Sequence, residues 1–114
     1  MKIFDNIFYV SLENIAKKIF QKTKFGKLKV YFPSGRIENY IGDKDSIVAD
    51  LNLKNFLMIF KILKKGAIGF AESYIDGDFS TSNLKNLLIF AELNKSNYIN
   101  EKQGKWFYKL LIKI

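Results

Sequence analysis

Apolar residues recur along this chain in two distinct rhythms, and the change from one to the other marks out its elements. Leu12, Ile15, Ala16, Ile19 and Phe20 fall on one helical face and predict a helix over 11–23. Ile3, Phe4, Ile7, Phe8 and Tyr9 keep helical spacing upstream, so the helix is read as beginning as early as Asp5. The rhythm then shortens to two. Leu28, Val30 and Phe32 alternate with Lys27, Lys29 and Tyr31, which predicts a strand over 27–32. Pro33-Ser34-Gly35 supplies a turn, and residues 36–41 return as a more polar strand with Ile37 and Ile41 on its buried face. After a second turn at 42–45, Ile47, Ala49, Leu51 and Leu53 alternate with Ser46, Val48, Asp50 and Asn52. Three neighbouring strands with one covered face predict an antiparallel meander.

Helical spacing resumes over 54–65, with Asn52 as a cap and Gly66 as a stop. Phe56, Leu57, Met58, Ile59, Phe60, Ile62 and Leu63 make this surface wider than packing on one sheet requires. The helix is therefore sandwiched between two layers or turns one side to a partner or a lipid. Residues 66–79 hold glycines at 66, 69 and 77 and read as a crossing between packed elements. Ser80, Thr81 and Ser82 offer caps for a helix running to about Asn94, with Leu84, Leu87, Leu88 and Ala91 inward. The polar run 94–100 reads as a hinge. Over 101–114, Trp106, Phe107, Leu110, Leu111 and Ile114 share one helical face, while Lys102, Lys105, Lys109 and Lys113 take the other. A basic amphipathic helix with Trp at its edge is suited to a membrane interface, or to packing on a core. Helix, three strands and further helices make an α+β fold, a small antiparallel sheet covered by helices. The division expected is a domain over 1–95 and a linker with amphipathic helix over 96–114.

Composition narrows the chemistry. The chain of 114 residues suits one domain, and its 48% hydrophobic content can build a core. It has no cysteine and no histidine, which removes thiolate chemistry, disulfides and the usual base near neutral pH. The formal charge of +8 sits at the ends: residues 30–100 are balanced, and the segments on either side are Lys-rich. Basic ends favour a polyanionic partner. Neither a secretory signal nor a membrane-spanning run is visible, so the expected location is the cytoplasm, either free or peripheral at the inner face of the membrane.

The stretch Phe70-Ala71-Glu72-Ser73-Tyr74-Ile75-Asp76-Gly77-Asp78-Phe79 resembles the Glu-x-Tyr-x-x-Gly signature of the N-terminal domain of cyclopropane-fatty-acyl-phospholipid synthases. Residues 26–32 followed by Pro33-Ser34-Gly35 are similar to that domain's entry, and Leu84-Lys85-Asn86-Leu87-Leu88 with Asn94 to its following helix. Phe79 stands where the family usually has Trp, and Ile75 where Met is common. The resemblance spans residues 26–94 and implies a sterol-carrier-protein-like fold that encloses space for an acyl chain. The family's chemistry, methylation of a lipid double bond with S-adenosylmethionine, belongs to a following domain that has no counterpart here.

The resemblance implies that Glu72, Tyr74, Asp76 and Gly77 shape the crossing and form an interface for a methyltransferase domain, supplied by the same or another chain. Phe56, Leu57, Ile59, Phe60 and Leu63 are the expected acyl-chain contacts. Lys102, Lys105, Trp106, Phe107, Lys109, Leu110 and Lys113 are the expected membrane surface, meeting anionic phospholipid. Gly66 to Gly69 is too short for a cofactor loop and follows a helix, so no cofactor is expected. Asp76 and Asp78 would point apart in an extended chain, and no nucleophile–base pair is visible, so no catalysis is expected of this chain alone. Two other readings stay open. One is a nucleic-acid-binding protein using Lys27, Lys29 and Tyr31, disfavoured by a single Arg and a neutral middle. The other is a homodimerisation module built on the terminal helix.

Overall fold

A computed structural model of the protein describes residues 2–42 and 44–98. It is α+β, with helices packed on one face of a four-stranded sheet. The elements in order are α1 (Lys2–Phe20), β1 (Phe25–Tyr31), β2 (Ile37–Ile41), β3 (Lys44–Leu53), α2 (Leu57–Lys65), α3 (Ala67–Asp76), β4 (Phe79–Ser80) and α4 (Leu84–Tyr98).

The sheet order is β2-β1-β3-β4, so β1 is central. β1 pairs antiparallel with β2 but parallel with β3. The antiparallel meander expected from the alternation is thus corrected to a mixed sheet. The cause is a tight crossing after β2. The chain passes beneath the start of β1, where the Gly42 N–H donates to the Gly26 carbonyl at 2.8 Å. Glycine is required on both sides of that crossing. A Cβ on Gly42 would stand 2.4 Å from the Lys24 carbonyl. A Cβ on Gly26, at φ 76°, would stand 2.3 Å from the Ile47 carbonyl oxygen.

The β1–β2 turn fixes the register. Phe32 N–H donates to the Arg36 carbonyl at 2.8 Å, and Leu28 faces Tyr40. Tyr40 therefore lies on the helix side, while Ile37 and Ile41 are 51% and 69% exposed. Their expected burial is overturned: β2 runs in the opposite phase, and its inward residues are Glu38 and Tyr40. On the covered face, Leu28, Val30, Leu51 and Leu53 pack beneath Leu12, Ala16, Ile19 and Phe20 of α1 and Leu87 and Phe90 of α4. Burying each large side chain contributes about 1.5–3 kcal/mol. Phe20 is the hub, with ring contacts to Phe32, Tyr40 and Tyr98.

Two helix limits differ from those read in the sequence. α2 starts at Leu57, because the Leu57 N–H is taken by Asn55 Oδ1 at 2.8 Å, in place of the expected cap Asn52. α4 continues to Tyr98, into the run read as a hinge. Its buried stripe is Leu87, Phe90 and Asn94, and Leu88, expected inside, is 47% exposed.

Candidate functional site

The stretch read as a crossing is itself a helix. α2 and α3 form a tight helical hairpin with Gly66 between them. Gly69 makes that packing possible, since a Cβ there would lie 1.9 Å from the Lys61 carbonyl oxygen. Backbone meets backbone at this point. Phe70 and Tyr74 project from α3 onto Phe79, with ring centroids 5.0 and 5.7 Å away. The hairpin is thereby anchored on β4.

Gly77 ends α3 in the left-handed conformation, φ 78° and ψ 21°. The next N–H, of Asp78, turns back to the Ser73 carbonyl at 2.9 Å. This reversal brings Asp76 and Asp78 to one side. Lys61 Nζ reaches both, 2.8 Å from Asp76 Oδ2 and 2.6 Å from Asp78 Oδ2. The expectation that the two carboxylates point apart is corrected: helix end plus left-handed glycine converge them where an extended strand would not. Burial raises the proton affinity of Asp78, but hydrogen bonds from Lys61 and Asn55 outweigh it, and the carboxyl is held below its usual value. Ser73 is fully buried beside this carboxyl. The Lys61 ammonium is raised in turn, first by Asp76 and then by Asp78. Glu72 pairs with Lys65 at 3.1 Å.

The acids of this corner are each matched by a lysine. These ion pairs tie α2 to the end of α3 and to the start of β4. Among the described residues, no group of three or more acidic, His or Cys side chains is placed to hold a metal ion. Lys61 and Ser73 escaped the sequence reading. The i, i+4 relation of Lys61 to Lys65 on one side of α2 was the available signal, since it sets two cations facing Glu72 and Asp76.

The expected acyl-chain contacts divide. Phe56 and Ile59 are core residues, Phe60 and Leu63 are half-buried against the core, and Leu57 is exposed. Tyr74 and Gly77 are at the surface, and Glu72 is half-buried. The membrane-surface residues Lys102 to Lys113 lie outside the described residues.

Among the described residues, three surfaces keep aliphatic side chains in the open. The hairpin shows Leu57, Ile68 and Ile75; α4 shows Leu88, Ile89 and Leu93; the sheet face opposite the described helices shows Ile37, Ile41 and Val48. Among the described residues no helix is long and apolar enough to cross a membrane. No protein-family model, no curated protein and no solved structure matches the chain.

Proposed function

We propose that this chain is an accessory lipid- and membrane-interaction domain, similar in role to the N-terminal domain of cyclopropane-fatty-acyl-phospholipid synthases and without catalysis of its own. The observation that carries the reading is the exposure of branched aliphatic residues on a chain of net charge +8. Exposed aliphatic groups gain from an apolar phase, and excess lysine gains from an anionic surface; an anionic bilayer offers both. The resemblance supports it further. Each signature residue has a task in one corner: Glu72 holds Lys65, Tyr74 packs on Phe79, Asp76 holds Lys61, and Gly77 makes the turn. Such a corner is a rigid platform for docking a methyltransferase domain, and the half-buried Phe60 and Leu63 are where an acyl chain would enter a sterol-carrier-like interior. The working location is the cytoplasmic face of the membrane.

The test is sedimentation of the full chain with vesicles of phosphatidylcholine, alone or mixed with phosphatidylglycerol. Binding to the mixed vesicles only, weakening as salt is raised, is the expected result. Failure to bind either vesicle sinks the proposal.

A further inference from the structure

The three exposed aliphatic surfaces differ in what their charges are doing. On the hairpin, Lys61 and Lys65 are bonded to Asp76, Asp78 and Glu72, which leaves Lys64 exposed without an ion pair among the described residues. On α4, Glu92 stands among the exposed aliphatic residues and holds Lys95 at 2.8 Å, and Lys85 has no ion pair among the described residues. The sheet face is different in holding two such lysines on one face of one strand. Lys27 and Lys29 project from its central strand, both exposed, and neither has an ion-pair partner among the described residues. Lys29 Nζ instead lies over the Tyr31 ring at 5.3 Å. The acid that shares the face, Asp50, is turned to the loop before α4, accepting from Ser82 N–H at 3.1 Å and from its hydroxyl.

Register sets these groups in rows. Ile41, Lys27 and Val48 lie side by side across three strands, as do Asn39, Lys29 and Asp50, then Ile37, Tyr31 and Asn52. The first ammonium is therefore flanked on both sides by aliphatic groups 69% and 61% exposed. From this juxtaposition, and resting on the lipid reading above, we infer that the sheet face left open by the described residues is the surface that lies on an anionic phospholipid bilayer. Lys27 and Lys29 meet headgroup phosphates, while Ile41, Val48 and Ile37 enter the interface around them.

Charge selects this occupant. A second copy of the chain would set these lysines against each other on a two-fold contact. A single-stranded nucleic acid stacks on aromatic rings, and the face offers one ring, already under Lys29. Three branched aliphatics add nothing for a phosphodiester chain but gain from an acyl boundary.

The experiment compares K27Q/K29Q with K18Q/K85Q on the mixed phosphatidylglycerol vesicles. Lys18 and Lys85 are exposed on the helical side, so the second variant removes equal charge elsewhere. A third variant, I41S/V48S, tests the aliphatic row. Loss of roughly thirtyfold in partitioning is expected for K27Q/K29Q, from two phosphate-facing lysines. A similar direction is expected for I41S/V48S, and only a small change for K18Q/K85Q, each variant keeping the wild-type circular dichroism spectrum. Equal losses from both lysine pairs would overturn the sheet-face assignment and leave membrane binding intact. An unmodified chain that ignores the vesicles but shifts an oligonucleotide, dependent on Lys27 and Lys29, would overturn both.

Discussion

Asn94 is fully buried, and its amide makes four hydrogen bonds. Its oxygen accepts from Lys24 N–H and Phe25 N–H at 2.9 and 3.0 Å; its nitrogen donates to the Phe25 and Phe90 carbonyls at 2.9 and 3.0 Å. That uses the amide's full capacity. Replacing it with Ala strands the backbone groups that open β1. Asn94→Ala should cost about 2–4 kcal/mol, read from the midpoint of urea unfolding. A cost near zero would mean that water substitutes for the amide. Asn94 also shows where sequence reasoning loses its hold. The spacing of residues 87, 90 and 94 continues a helical stripe, but a polar side chain at its end reads as solvent-facing. Only the partner strand, nearly 70 residues earlier in the chain, reveals it as interior.

Among the elements, the α2–α3 hairpin depends on one missing side chain. Gly69 lets the two helices touch, and a Cβ in that place collides with backbone that cannot rotate away. Gly69→Val should therefore destabilise by about 3 kcal/mol or more and lower the cooperativity of unfolding. An unchanged midpoint would show that the helices can separate without loss. Glycine carries two meanings in a sequence, a break in a helix or a close approach between helices. Here residues 66 and 77 are breaks while residue 69 is an approach, and spacing alone, blind to the difference, reads the hairpin as a connector. The strands pose a related problem. Alternation correctly gave the inward faces of β1 and β3, yet the same alternation serves parallel and antiparallel pairing alike. Gly26 and Gly42 decide between them, through contacts that no local pattern encodes.

For the molecule as a whole, acid is the weak side. The nineteen basic residues stay charged as the eleven acids are neutralised, so repulsion grows as pH falls. Asp78 adds a specific term. Its folded-state carboxyl lies below the usual value of 3.8, so its contribution is complete above that value and is lost as pH falls through the lower, folded one. Lys61 is raised, so its contribution is complete below its usual value and fades only at alkaline pH. Asp78→Asn should lower the melting temperature at neutral pH and flatten its fall below about pH 4. Parallel melting-temperature curves for the two proteins would remove Asp78 from that account. The candidate surfaces were legible in part. Lys27, Lys29 and Tyr31 were placed on one strand face from alternation alone, but Ile37 and Ile41 joined them only through the β1–β2 register. One more feature shapes the whole: Thr23 Oγ1 and Tyr98 OH meet at 2.5 Å, though 75 residues separate them. The stretch that carries the sheet and the later helices is thus a loop drawn shut at its neck, its two ends held together by one pair of hydroxyls.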